Sequence, residues 1–347
     1  MQNKKEKVIF IDPVSSALPT ASLIIKKLKK DFYLEVYCSE TSYNQDFVED
    51  LRSEINLNIF KISSTVTNSF YGALNYFRII FSCLLKKHDI YIQFPNFFPL
   101  DIIFFLFAGK RINFIVHNLF PHEKTIFFKR NIFLSKLAKS VIFLSEEEKI
   151  KYEIYAKSTN TNTKTILWQL GPTPIIPDDS LRPYSQKHEL EKPIITFCGN
   201  IKQYKGIDTF LNSYKSSKIS RNFDLEVYGK IDANINKQIF IEFIKKDGFI
   251  ENDHFKKLLI NKKRIFILPY QEATQSGLFY NFLFYGSLML VSDVGDMARR
   301  LKENDLSGIV FDPESISSFE NALNYLLENY KIVIERLKKL QEDSLWN

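Results

Sequence analysis

The sequence predicts an α/β protein of two tandem, Rossmann-like, doubly wound domains, and three observations predict it. Short apolar runs alternate with longer helical patterns along nearly the whole chain, and strands that are apolar on both faces belong in parallel sheets covered by helices. The alternation stops once, at "GPTPIIPDDSLRPYSQKHELEKP", which holds five of the twelve prolines and no periodic pattern. A chain of 347 residues is also long enough to bury two cores of ordinary domain size.

In order, the first seven runs are "KVIFID", "YLEVYC", "NLNIFKIS", "DIYIQF", "RINFIVHN", "SVIFLS" and "KTILWQLG". Between the last two, "SEEEKIKYEIYA" opens with Ser145 followed by Glu148, the spacing of a capping box at a helix start. After the proline-rich stretch come "PIITFCGN", "FDLEVYGK", "RIFILPY", "LMLVSDV" and "SGIVFD". We therefore expect an N-terminal domain over residues 1–170, a linker over 171–192 and a C-terminal domain over 193–330. A closing helix over 331–347 is expected to pack back towards the N-terminal domain. In open sheets of this kind ligands bind beyond the carboxyl ends of the strands, so two such domains would face each other across a cleft.

Composition narrows the class further. Hydrophobic residues make up 45% and charged residues 25%, the balance of a folded protein and not of a disordered one. Cys38, Cys83 and Cys198 are too few and too scattered for a disulfide framework or a zinc site, and read as core residues in a reducing compartment. "MQNKKEKVIFIDP" has too short an apolar run for a signal peptide. "NFFPLDIIFFLFAGK" is interrupted by Asp101 and falls short of the roughly 20 residues that span a bilayer. A cytoplasmic protein is expected. The net charge of +7 lies wholly in the first 170 residues, which fits nucleic acid, an acidic substrate, an anionic membrane surface or merely a solvated face. No nucleic-acid module accompanies it, so nucleic acid ranks last.

Three strand-end loops carry chemistry. After "PIITFCGN", the stretch "IKQYKGIDTF" places Lys202 and Lys205 beside Gly206 and a helix start, where a point charge and free amides could act on one diphosphate. An ordinary surface loop fits those residues too. After "RIFILPY", the stretch "QEATQSG" leads into the apolar helix "LFYNFLFYG". Ser276 and Gly277 there could offer amides to a phosphate or serve as a plain cap. After "RINFIV", the loop "HNLFPHEKT" gathers His117, Asn118, His122 and Glu123. It lacks the spacing of a metal site and better suits sugar hydroxyls, which need neutral donors and acceptors.

Taken together, "FCGNIKQYKGID", "LPYQEATQSG" with "VSDVGD", "VHNLFPHE" and "NDLSGIVFDPES" resemble the family 4 retaining glycosyltransferases of the GT-B fold that assemble bacterial surface polysaccharides. The resemblance spans nearly the whole chain and is strongest from Phe197 to Pro313. It implies a UDP- or GDP-linked sugar as co-substrate, held mostly by the C-terminal domain, no further cofactor and no metal, and an acceptor on the N-terminal domain. It makes Lys205 the lysine on the donor diphosphate, with Gly199, Asn200, Thr274, Gln275, Ser276 and Gly277 lining the donor site. It brings His117 to the transferred sugar, with Asn118, His122 and Glu123 on the acceptor side. Family members carry an arginine where Asn200 stands, and two glutamates where Ala273 and Asn281 stand. Asn281 could still hold the ribose by hydrogen bonding, and Glu272, one place earlier, could stand in at the sugar.

The leading expectation is thus a hexosyltransferase acting on a lipid-linked or oligosaccharide acceptor in capsule, O-antigen or exopolysaccharide assembly. It would sit peripherally at the inner face of the cell membrane, attached through clusters such as "IIKKLKK" and "FFKRNIF" that combine charge with apolar anchors. A non-catalytic sugar-nucleotide binder or scaffold is the second expectation, motivated by Ala273 and Asn200. A sugar-nucleotide epimerase is the third, and the carboxylate-poor loop argues against it.

Overall fold

Each of the twelve apolar runs named above forms a strand in the computed structural model, which describes all residues except 1–4, 15–17, 41–43, 61–69, 96, 98, 118, 120–125, 178, 186–189, 219–220, 274–275 and 346–347. The chain divides into two units at Leu170 and Gly171. The first holds β1 (Lys7–Asp12), β2 (Tyr33–Ser39), β3 (Asn56–Phe60), β4 (Asp89–Gln93), β5 (Ile112–Val116), β6 (Ser140–Phe143) and β7 (Lys164–Leu167). These pair in parallel in the order β3-β2-β1-β4-β5-β6-β7. The connecting helices are α1 (Leu18–Asp31), α2 (Gln45–Glu54), α3 (Phe70–Leu85), α4 (Leu100–Ala108), α5 (Ile126–Leu137) and α6 (Glu146–Ser158).

Alternate residues of a strand point to opposite faces. Ile9, Ile11, Ile90 and Ile92 accordingly share one buried cluster with Tyr76 and Ile80 of α3, Phe104 of α4 and Ile132 of α5, so these three helices cover the same face of the sheet. Asp101, which breaks the apolar run of α4, is buried but satisfied: it accepts the Tyr76 hydroxyl at 2.7 Å and the Phe97 amide at 2.7 Å. One membrane cluster needs correction here. Ile24, Ile25 and Leu28 of "IIKKLKK" are buried in the core, because the apolar stripe of α1 is needed to cover the sheet, so they are not available as anchors.

The second unit holds β8 (Ile194–Cys198), β9 (Leu225–Tyr228), β10 (Ile244–Lys246), β11 (Arg264–Leu268), β12 (Leu288–Ser292) and β13 (Val310–Phe311), in the order β10-β9-β8-β11-β12-β13. All pairings are again parallel. Its helices are α7 (Ile207–Ser216), α8 (Asn252–Leu259), α9 (Gly277–Tyr285), α10 (Gly295–Glu303), α11 (Ile316–Glu328) and α12 (Tyr330–Asp343). The described part of the linker runs along this unit as irregular chain. Thr173 donates its amide to the Tyr280 carbonyl at 3.2 Å, Arg182 to Phe284 at 2.9 Å, and the Tyr184 hydroxyl to Ser287 at 3.0 Å.

Helix α12 also binds within this unit. Its buried Val333, Leu337 and Leu340 form one stripe against α9 and α11, and Gln341 donates to the Arg182 carbonyl at 2.9 Å. No described helix is long and apolar enough to cross a membrane.

Candidate active site

The second sheet reverses its strand order between β8 and β11, which lie side by side, and the loops leaving their carboxyl ends interlock. After β8 a single 3-10 turn over Gln203–Lys205 ends at Gly206, whose φ is +63°. Glycine is required there on two counts. The backbone is left-handed, and a Cβ would lie 2.3 Å from the Pro269 carbonyl oxygen. In return the Tyr204 carbonyl accepts the amides of Gln271 at 2.9 Å and Glu272 at 3.3 Å.

Lys205 stands at this junction. Its amine is 5.4 Å from the centre of the Tyr270 ring and 3.4 Å from the point a Cβ on Gly199 would occupy, and that same point is 3.0 Å from Leu278 Cδ1. Gly199, Lys205 and the first turn of α9 therefore border one small space. Burial pushes the Lys205 amine below its ordinary value, because the charged form loses hydration. Among the described residues no carboxylate pairs with it. Such a cation gains most from an anion that arrives with a ligand.

Helix α9 offers the complementary group. Ser276 is its N-cap residue, yet the Ser276 side chain makes no capping bond and instead lies 3.2 Å from the Tyr270 hydroxyl. Burial raises the Tyr270 phenol to about 12, so that hydroxyl stays protonated. Ser276 thus gives the amides of Gly277 and Leu278 no side-chain cap, and a Cβ on Gly277 would meet no described atom within 4 Å. Open space at the positive end of a helix dipole is what an anion requires. The helix is held still by its other residues. Phe279, Tyr280, Phe282 and Tyr285 are fully buried, each worth about 1.5–3 kcal/mol, and Tyr280 donates to Asp296 of "VSDVGD" at 3.2 Å.

In the first unit the order reverses between β1 and β4, and here too polar groups end the buried strands. Gln93, the last residue of β4, donates from Nε2 to Asp12, the last of β1, at 2.6 Å. Its Oε1 then faces His117 Nε2, just beyond β5, at 3.1 Å. A carboxylate can only accept, so the Gln93 amide has one orientation and His117 must be the donor through Nε2. The neutral ring carries its lone pair on Nδ1. Burial lowers the His117 pKa to about 4, which keeps it neutral near pH 7.

Phe94 stacks on the imidazole, with centroids 4.3 Å apart and planes 22° from parallel. It does so with φ at +47°, an unusual conformation for a bulky residue that its surroundings must enforce. Two residues past His117, the Leu119 amide donates to Glu148 at 2.8 Å. The expected capping box is therefore not made: Ser145 is the N-cap of α6 but forms no capping bond, and Glu148 is used to pin the His117 loop.

Of the residues expected to serve the site, Gly199, Lys205, Ser276 and Gly277 come together. Asn200 and Glu272 are exposed at its edge, and Asn281 sits one turn into α9 with Nδ2 donating to the Thr173 carbonyl at 2.7 Å. Because that carbonyl only accepts, the Asn281 Oδ1 is turned away from it. Asn118, His122, Glu123, Thr274 and Gln275 lie outside the described residues. The sequence reading missed Asp12, Gln93, Phe94, Tyr204, Tyr270 and Thr173. For Asp12 and Gln93 a signal was present: each is a polar residue closing an apolar strand.

Comparison with known proteins bears on this arrangement. Residues 182–344, which contain Lys205 and α9, match the family model described as "Glycosyl transferases group 1". The chain is a glycosyltransferase. Solved structures place the fold of the enzyme in the GT-B class. An E. coli structure described as trehalose-6-phosphate bound with UDP-2-fluoro glucose is 11% identical with a TM-score of 0.65, over 97% of this chain and 95% of that one. Anabaena Alr3699/HepE in complex with UDP is 10% identical with a TM-score of 0.66, over 98% and 94%. WaaG, a glycosyltransferase involved in lipopolysaccharide biosynthesis, is 11% identical with a TM-score of 0.62, over 97% and 95%. No curated protein sequence matches the glycosyltransferase.

Proposed function

We propose that the enzyme transfers a hexose-type sugar from a UDP- or GDP-linked donor to a lipid-linked or oligosaccharide acceptor in the assembly of a bacterial surface polysaccharide. Lys205 carries the donor half of this reading: a half-buried cation without a carboxylate partner among the described residues, beside a start of α9 that Ser276 does not cap. Two of the similar structures hold UDP or a UDP-sugar analogue, and WaaG is involved in lipopolysaccharide biosynthesis; both facts support it.

In this scheme the diphosphate rests on Lys205 and the amides of Gly277 and Leu278. The Oδ1 of Asn281 accepts a ribose hydroxyl, and Nδ1 of His117 accepts a hydroxyl of the transferred sugar. Glu272 and the remaining residues of the two loops complete the donor side, while Asn118, His122 and Glu123 serve the acceptor. As the bond from the anomeric carbon to the diphosphate oxygen breaks, the acceptor oxygen attacks from the same face and its proton passes to the leaving diphosphate, giving retention. The charge that develops on the diphosphate meets a fixed cation and fixed amides, so the scheme requires no metal and turnover is expected to persist in EDTA.

The test is a thermal-shift screen of UDP- and GDP-sugars on the intact chain, followed by turnover of the best donor. A ligand that binds only the native state raises the melting temperature. Lys205→Ala is expected to cut turnover by about 10²–10³-fold with the fold retained. Wild-type rates in that variant would sink the diphosphate assignment. A melting shift with neither transfer nor hydrolysis would instead point to a binding-only relative.

A further inference from the structure

We propose that the outer face of α3, α4 and α5 is a docking surface for an anionic lipid bilayer. All three helices bury their inner faces in one cluster over the first sheet, and α4 lies against both α3 and α5. Their outer faces are also apolar. On α3, Phe77, Phe81 and Leu85 recur every four residues and are 51%, 56% and 71% exposed; on α4, Ile103, Leu106 and Phe107 are 44%, 59% and 76% exposed; on α5, Phe133 is 43% exposed. A patch of large side chains spread over three adjoining helices exceeds what single exposed residues on a soluble surface account for.

The charges around it say what covers it. Arg78 of α3, Lys110 just after α4, and Lys129 and Lys136 of α5 are exposed. The described side chains of the three helices include no exposed carboxylate, since Asp101 is buried. The patch ends at α6, whose surface brings Glu146, Glu147 and Glu153. Aromatic and aliphatic groups on three helices whose only described exposed charges are Lys and Arg match an interface of lipid headgroups and acyl chains, with the cations drawn to anionic lipids. A second copy of the chain fits less well, because a two-fold contact would set these cations against their own counterparts. Of the two clusters singled out from the sequence, only "FFKRNIF" contributes, through Lys129 and Phe133. The inference deepens the acceptor half of the proposed function, and its readout is independent of transfer.

The experiment is flotation of the full chain with vesicles of phosphatidylglycerol or of phosphatidylcholine, at low and high salt. We expect partition onto phosphatidylglycerol at low salt, weakened by high salt, and little onto phosphatidylcholine. Paired Phe81→Ser and Phe107→Ser substitutions should lower that partition about tenfold or more, and paired Arg78→Glu and Lys136→Glu substitutions should abolish it at low salt. Both variants alter exposed residues, so the melting temperature and the nucleotide-sugar thermal shift should be unchanged. Ile241→Ser, at an exposed position in the second unit, should behave as wild type. The proposal is overturned if the wild type does not partition, or if the Phe81 and Phe107 pair partitions equally well. It is also overturned if sedimentation reveals a dimer that this pair dissolves while vesicle binding stays absent.

Discussion

Gln93 can present only its carbonyl oxygen to His117, because its amide nitrogen is taken by the Asp12 carboxylate. Two residues at the ends of two strands thus set the tautomer of one ring, and burial sets its charge. The consequence for stability has a definite sign. Burial lowers the native His117 pKa from 6.5 to about 4, so below about pH 6.5 the unfolded chain takes up a proton that the native chain refuses. The contribution of this group is therefore complete above pH 6.5 and is lost as the pH falls towards 4, by up to about 3 kcal/mol. Urea midpoints at pH 7 and pH 5 should fall more for the wild type than for His117→Gln, which does not titrate. Equal losses would mean that the imidazole is not held neutral. None of this could be read from "VHNLFPHE", since the partners of His117 are not in that motif.

Helix α9 illustrates how far an element can be read in advance. Its existence and its closing Gly286 follow from the apolar pattern, and the left-handed φ of +61° at Gly286 is the one that ends helices. Whether "ATQSG" caps the helix or leaves its amides to a ligand was not legible, because the same residue types do both. In the structure the Ser276 hydroxyl turns to Tyr270 and gives the helix no side-chain cap. Gly277→Ala is the discriminating change. Its new Cβ meets no described atom, so stability should hold or rise by about 0.4–1 kcal/mol, whereas titration calorimetry should show the nucleoside diphosphate bound at least about tenfold more weakly. Unaltered affinity would remove the anion from the start of α9. Two other elements mark the limits of pattern reading. β10 is a three-residue strand at the sheet edge with two lysines, too short to give an apolar run. In α3 the inner and outer faces are both apolar, so periodicity could not separate the core stripe from the exposed one.

For the molecule as a whole, the two units carry different parts of the proposed reaction: Lys205 and α9 belong to the second, and the Asp12, Gln93 and His117 series to the first. A nucleoside diphosphate lacking the sugar should therefore slow amide exchange in residues 199–206 and 276–279 and leave residues 112–116 unchanged. Protection spread equally over both stretches would contradict that division. The linker belongs to this scale as well. Its prolines signalled a break between domains, yet its chain is bonded along the second unit, and one of those bonds, from Asn281 to Thr173, orients a side chain to which the proposed scheme gives the ribose.

The sequence by itself determined the two α/β domains, their strands other than β10 and the loops where ligands would bind, because an apolar run must be buried and a parallel sheet opens its sites at the strand ends. Only the tertiary structure decided which side chains meet there. Asp12 and Gln93 are 81 residues apart and meet because β1 and β4 pair side by side in the sheet, whereas Thr173 and Asn281 are 108 apart and meet because the irregular linker is bonded along α9. Burial was decided at the same level. It hid the isoleucines of "IIKKLKK", left Phe81 and Phe107 exposed, and placed Lys205 where no carboxylate among the described residues pairs with its charge.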